Sequence, residues 1–89
     1  MKHYLAHIVE VNGEYEYGAN FLIATGEGDP LEFAREVALD WRGGGEWSED
    51  CEDFAWNDDG MTAIKFRGLD KISEEEFDIL RKHMVSFTG

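Results

Sequence analysis

The sequence predicts an α+β fold: a two-layer sandwich in which a four-stranded antiparallel sheet carries two helices on one face, in the order β-β-α-β-β-α. Two observations predict it. A strong hairpin signal lies near residue 12, and two later segments with helical spacing of apolar residues each begin at a capping motif. With 89 residues, 43% of them hydrophobic, the chain is expected to form one acidic domain over residues 1–89.

The first two strands are predicted to form a long hairpin. Residues 4–11 are rich in β-branched and aromatic side chains, and Asn12 and Gly13 follow, a pair that tolerates the positive φ angles of a tight turn. From residue 15 to residue 23 the polarity alternates with a period of two, which predicts a strand with one buried face. The side chains expected on that face are Tyr15, Tyr17, Ala19, Phe21 and Ile23.

Capping residues mark where both helices begin. Asp29 can cap the first helix, Pro30 suits its first position, and glycines 43–45 end it. Ser73 and Glu76 have the spacing of a capping box, which starts the second helix. The helical side chains expected to meet the sheet in one core include Leu31, Trp41, Phe77 and Leu80.

A second hairpin is predicted between the helices, on a weaker pattern. Residues 53–56 are expected to form a short strand with Phe54 and Trp56 on one face. Residues 57–60 resemble a turn, and residues 61–67 alternate as a strand that Gly68 ends.

The charge excludes several kinds of partner. Twenty acidic residues against eight basic ones give a net charge of −12, which repels phosphates and anionic lipid surfaces. We therefore expect no direct nucleic-acid binding and no membrane binding. No apolar run approaches the roughly 20 residues that cross a bilayer, and the first seven residues become polar too early for a signal peptide. Cys51 is alone, so a cytoplasmic location is expected.

No motif indicates catalysis, a metal or a cofactor. The chain has one cysteine and three histidines, and His3 and His7 on one strand would lie about 13 Å apart, too far for one zinc ion. Asp58, Asp59 and Gly60 lack the alternating ligands of a calcium loop. The sequence therefore predicts a protein that is not an enzyme.

The acidic residues are unevenly distributed along the chain. Residues 46–59 contain no lysine or arginine, whereas Lys65, Arg67 and Lys71 follow closely after. One interpretation is a solvated loop that improves solubility. The other is a negative flank that binds a basic surface, because carboxylates on one face of a strand recur every ~6.6–7 Å, similar to the spacing of phosphates.

The second interpretation defines a candidate partner-binding site. Glu14 and Glu16 lie on the outer face of the second predicted strand, and Trp47, in a predicted loop, resembles an aromatic interface anchor among steering charges. The candidate residues are Glu14, Glu16, Glu46, Trp47, Glu49, Asp50, Glu52, Asp53, Asp58 and Asp59.

In size, charge, element order and its acid-only stretch at residues 46–59, the chain resembles small acidic inhibitors encoded by phages and mobile elements, of the anti-CRISPR and anti-restriction type. The resemblance covers the whole chain but includes no specific motif. It implies binding to a nucleic-acid-handling protein complex and occupation of its basic nucleic-acid or target site, in the host cytoplasm if the protein is phage-encoded. We expect a monomer or a homodimer.

Two alternatives stay open. A generic interaction module or small subunit, acidic for solubility, would bind through a sheet edge or Trp47 and tolerate salt. Adaptation to high salt would spread the acidic residues evenly and stabilise the protein strongly in molar salt.

Overall fold

The computed structural model describes residues 1–48, 53–58 and 60–89. In this part of the chain six strands form one mixed sheet with the order β3-β4-β5-β1-β2-β6. Strand β6 lies parallel to β2, and the other neighbouring strands are antiparallel. The elements are β1 (Lys2–Asn12), β2 (Tyr15–Thr25), α1 (Pro30–Trp41), β3 (Gly45–Trp47), β4 (Phe54–Asn57), β5 (Thr62–Ile72), α2 (Glu74–Leu80) and β6 (Ser86–Thr88).

The prediction of a four-stranded antiparallel sheet is wrong. The two additional strands, β3 and β6, have three residues each and lie at the two edges of the sheet. Three residues are too few to show a period of two, so sequence alternation could not reveal either strand. Strand β3 also begins at Gly45, the third of the glycines predicted to end α1, where the sequence suggested a loop.

The first hairpin is confirmed. Strands β1 and β2 pair along their whole length, from Lys2 opposite Thr25 to Asn12 opposite Tyr15. The two-residue turn is Gly13 and Glu14, one position later than the predicted pair, because Asn12 is the last residue of β1 and only Gly13 of the predicted pair has a positive φ, of +63°. A glycine suits this position because it has no Cβ to clash at positive φ.

The predicted helix starts are also confirmed. The Leu31 backbone N–H donates to Asp29 Oδ1 at 3.0 Å, and Pro30 is the first residue of α1. At α2, the Glu76 N–H donates to Ser73 Oγ at 3.0 Å and the Ser73 N–H donates to Glu76 Oε1 at 3.1 Å. This reciprocal pair satisfies backbone donors that the first turn of a helix leaves without an internal partner.

The two helices cover opposite faces of the sheet. Phe21 and Ile23 of β2 pack in one hydrophobic cluster with residues of α1, whereas Leu22 and Ala24 pack with Phe77 of α2. Because successive side chains of a strand point to opposite faces, these clusters lie on different sides, called here the α1 face and the α2 face. The prediction of a two-layer sandwich with both helices on one face is therefore wrong.

The larger core lies on the α1 face. The Phe21 ring contacts those of Trp41 and Phe87, with centroids 5.6 and 5.9 Å apart. Tyr15 and Tyr17, expected in this core, are 68% and 57% exposed. The reason is length: a strand of 11 residues extends about 36 Å, whereas a helix of 12 residues covers about 18 Å.

Strand β5 does not end at Gly68 but continues to Ile72 through a β-bulge. Ile8 of β1 pairs with Phe66 and His7 pairs with Gly68, so Arg67 has no opposite residue. One extra residue reverses the alternation of side chains that follow it. Phe66 and Leu69 consequently both contribute to the core on the α1 face, although they are three residues apart.

Candidate functional site

Helix α2 covers one end of the α2 face, and two cross-strand rows of side chains occupy the other end. Each row consists of residues that the strand register places opposite one another. The first row crosses β2, β1, β5, β4 and β3, and the second crosses β2, β1, β5 and β4. The rows lie on the α2 face because they alternate with Ile8, Ala55 and Ile64 of the α1-face core. The first row is Glu16, Val11, Ala63, Trp56 and Glu46, and the second is Gly18, Val9, Lys65 and Phe54. We call these nine residues the open patch.

Trp56 is the most prominent side chain of the open patch. It is 57% exposed, and its ring meets that of Phe54 edge-on with centroids 5.2 Å apart. Ala63, opposite Trp56 on β5, is only 2% exposed. Val9 and Val11 on β1 are half-buried. An exposed indole beside small apolar side chains is the composition of an interface centre, since tryptophan is enriched at binding hot spots.

Two carboxylates lie at the two ends of the first row. Glu16 on β2 and Glu46 on β3 are separated by four inter-strand spacings, about 19 Å. Lys65 Nζ lies 3.2 Å from Glu16 Oε1, and the two side chains are 35% and 54% exposed. Because β1 lies between β5 and β2, the Lys65 side chain crosses over β1 to make this contact.

The structure separates Trp47 from the open patch. Trp47 lies on the α1 face, half-buried, with the Arg35 guanidinium carbon 5.5 Å from its ring centroid. Arg35 Nη2 also donates to Asp53 Oδ1 at 2.9 Å, so α1 holds both predicted site residues. A cleft of about 410 Å³ lies beside them and is lined by Asp29, Leu31, Glu32, Arg35, Glu36 and Trp47.

The remaining predicted site residues are distributed around the molecule. Glu14 is exposed in the turn between β1 and β2, and Asp58 is exposed just after β4. Of the ten candidates, the structure brings Glu16 and Glu46 to one row. Four candidates, Glu49, Asp50, Glu52 and Asp59, lie outside the described residues.

Sequence reasoning missed the central residues of the open patch: Val9, Val11, Ala63 and Trp56. The alternation of Phe54 and Trp56 did place both on one face, as the structure confirms. Alternation does not show which face of the sheet carries these two rings, nor that α2 leaves this half of the face uncovered in the described structure. Both features depend on packing between distant segments.

Acidic side chains are also exposed on both helices. Glu36 and Asp40 lie on α1, and Glu74 and Glu75 lie on α2, so negative charge occurs on both faces of the sheet. Five ion pairs join carboxylates to cationic side chains or to His7 among the described residues, which include sixteen of the twenty acidic residues. Charge alone therefore does not distinguish the open patch, which carries the one exposed tryptophan of the described residues, whereas Tyr15 and Tyr17 are exposed on β2 away from it.

A histidine lies between the open patch and the cluster under α2. His7 Nδ1 is 2.8 Å from Asn20 Oδ1, and His7 Nε2 is 2.7 Å from Asp70 Oδ2. Because both ring nitrogens face acceptor oxygens, the protonated imidazole satisfies both contacts by donating twice. The hydrogen bond to Asp70, and secondly that to Asn20, raise the pKa of His7 above its usual 6.5.

We expect His7 to make the folded state less stable at higher pH. A raised pKa contributes stability that is fully present below 6.5 and is lost as the pH rises through the folded-state pKa. The His7 side chain is 33% exposed, so the change should stay below about 1 kcal/mol. Urea unfolding between pH 5.5 and pH 8.5 measures it.

Two variants isolate this contribution from other titrating groups. His7→Gln removes the ionisable ring, and Asp70→Asn removes its strongest partner. In both, the pH dependence of the unfolding free energy should be smaller than in the wild type. An unchanged slope in both variants would show that the contacts of His7 do not set it.

No family model matches the chain, and no curated protein or solved structure is significantly similar to it. In the residues that the structure describes, no helix is both long and apolar enough to cross a bilayer. Nor do three or more histidine, cysteine or acidic side chains come together as a metal site in these ranges. The interpretation of the open patch consequently depends on its own geometry.

Proposed function

We propose that the protein is a non-enzymatic acidic binding protein that inhibits a nucleic-acid-binding effector complex, as anti-CRISPR proteins do, by occupying a basic nucleic-acid or target site. The observation that supports this proposal is the first row of the open patch. In it, an indole that is 57% exposed lies between Glu16 and Glu46, on the half of the sheet that α2 does not cover.

The two parts of this row serve binding in different ways. Exposed carboxylates on a chain of charge −12 steer the protein toward surfaces rich in lysine and arginine and increase the rate of association. The apolar centre at Trp56 and Val11 then supplies affinity, because burying it removes apolar surface from water. A surface that evolved to bind phosphates offers the complementary positive charge.

One observation favours a second candidate, a general interaction module whose acidic residues serve solubility. The exposed acidic residues of α1 and α2 lie away from the open patch and add charge on both sides of the molecule. Such a module would use Trp56 but would bind in a way that tolerates salt.

A competition experiment tests the proposed inhibition. The immobilised protein captures nucleic-acid-binding proteins from a bacterial extract over a series of salt concentrations. Each captured protein is purified and tested with its nucleic acid in a mobility-shift assay. We expect capture to decline steeply with salt, because screening weakens exposed charge pairs, and the wild-type protein to displace the nucleic acid.

Matched double variants connect this competition to the open patch. Glu16→Gln with Glu46→Gln should weaken binding about tenfold or more, since charged interface contacts contribute on the order of 1 kcal/mol each. Glu36→Gln with Asp40→Asn removes the same charge from exposed positions of α1 and should have little effect. Equal weakening by both pairs, or a captured protein that keeps its nucleic acid, would contradict the proposal.

A further inference from the structure

We infer that the open patch binds an amphipathic α-helix with basic residues, contributed by the partner protein. This inference rests on the proposed function and specifies the part of the partner that is bound.

The shape of the open patch fits a helix that lies along the strands. Its floor consists of small or half-buried residues, Gly18, Val9, Val11 and Ala63, and the rings of Phe54 and Trp56 stand on one side. From β4 to β2 there are three inter-strand spacings, about 14 Å. A helix with its side chains is about 10–12 Å wide, so it can lie on β1 and β5 beside the aromatic pair.

The floor, extended by His7 at its end, also has the length of a short helix. His7, Val9 and Val11 follow one another on the same face of β1, and the first and last are about 14 Å apart. This distance corresponds to about two and a half helical turns. Helices α1 and α2 already pack on the sheet elsewhere, one on each face, so the open patch offers a third helix the same kind of surface.

Charge complementarity determines the chemistry of the helix. Glu16 borders the floor on β2, and Glu46 lies on the opposite side of the floor, beyond the ring of Trp56 on β4. Lysine or arginine on the two borders of an apolar helical stripe would pair with Glu16 directly and with Glu46 across Trp56. A second copy of this chain does not fit this role, because two molecules of charge −12 repel each other.

Lys65 occupies part of this surface in the structure. Its side chain crosses over β1 and so lies between the solvent and two valines, Val9 and Val11. Its ammonium group pairs with Glu16 at 3.2 Å. Both side chains are partly exposed, and an exposed pair of this kind contributes little to stability. A cation of the partner helix can therefore replace Lys65 at Glu16 and release the apolar floor.

Two synthetic peptides of 16 residues, made of leucine and lysine in equal composition, test the inference. In one the leucines follow helical spacing, and in the other the order is scrambled. Fluorescence anisotropy measures the binding of each labelled peptide to the full chain. We expect the helical peptide to bind at least tenfold more tightly than the scrambled one, since only it presents one apolar stripe.

Two lysine variants with equal charge change locate the binding site. Lys65→Ala frees Glu16 and should tighten binding of the helical peptide about threefold or more. Lys71→Ala removes the same charge from β5 beyond the bulge, opposite Tyr4 on the α1 face, and should change binding less than twofold. Trp56→Ala should abolish the preference for the helical peptide.

Three results would overturn the inference: equal affinity for both peptides, equal effects of the two lysine variants, or a preference that survives Trp56→Ala. The first would show that net charge alone attracts the peptide, and the other two would show that the helical peptide binds outside the open patch. If the capture described above still depends on Glu16 and Glu46, the proposed function stands without the helix. If the helical peptide binds but no captured protein loses its nucleic acid, the helix site stands and the proposed inhibition fails.

Discussion

Replacing Trp56 with alanine is expected to weaken partner binding about thirtyfold or more. The side chain is 57% exposed in the open patch, and truncating an aromatic residue at a binding hot spot typically costs about 2 kcal/mol of binding free energy or more. Because most of the ring already contacts water, the free energy of unfolding should fall by no more than about 1 kcal/mol. Isothermal titration calorimetry with a captured partner measures the first effect, and urea unfolding measures the second.

Trp47→Ala is the control for this prediction. Trp47 packs against the core beneath Arg35, so its loss should reduce stability and leave binding at the open patch within about threefold of the wild type. The reverse result, with binding lost in Trp47→Ala and kept in Trp56→Ala, would place the anchor on the α1 face. It would support the sequence-based hypothesis of Trp47 as anchor over the open patch.

Leu22→Ala is expected to lower the free energy of unfolding by about 2–5 kcal/mol, the cost of removing a fully buried leucine from a packed core. Leu22 has no exposed surface and packs with Phe77 of α2. Tyr17→Ala on the same strand should cost less than about 1 kcal/mol, because Tyr17 is 57% exposed. Urea unfolding at one pH compares the two variants directly.

This pair of variants discriminates between the two arrangements of the helices. If both helices covered one face, Tyr17 would be buried with Phe21, and Leu22 would face solvent. The order of the two effects would then be reversed. A larger loss in Tyr17→Ala than in Leu22→Ala would therefore contradict the placement of α1 and α2 on opposite faces.

The features that the sequence predicted correctly depend on residues close together in the chain. The hairpin turn at Gly13 and the capping residues Asp29 and Ser73 act within three or four positions, so their chemistry can be recognised locally. The existence of both helices and of the strand at Phe54 followed from the same short-range patterns.

The features that the sequence did not predict depend on contacts between distant segments. β6 pairs with β2 although more than sixty residues separate them, and three residues carry no alternation to reveal it. The residues of β2 from Phe21 to Thr25 are all buried, which shows coverage of both faces, but the alternation of polarity earlier in the strand suggested one buried face. The exposure of Trp56 and the burial of Trp47 depend on the same feature, namely which helix covers which face of the sheet.

For the candidate site, sequence reasoning found the correct residue types and only part of their arrangement. Glu16 and Glu46 could be named because acidic residues stand out by type, and both border the open patch. Their apolar neighbours Val9 and Val11 look like ordinary strand residues. Only the register of β1 with β2 and β5 shows that they separate the two carboxylates.

Arg67, which has no opposite residue on β1, determines to which side of the sheet the last five side chains of β5 point. Shortening the chain by one residue there would move Asp70 away from His7 and Ile72 away from the cluster under α2, because both would point to the other side. Changes in chain length are therefore tolerated far less at this point than in the turns. A comparison of natural variants that differ in length should find their insertions elsewhere.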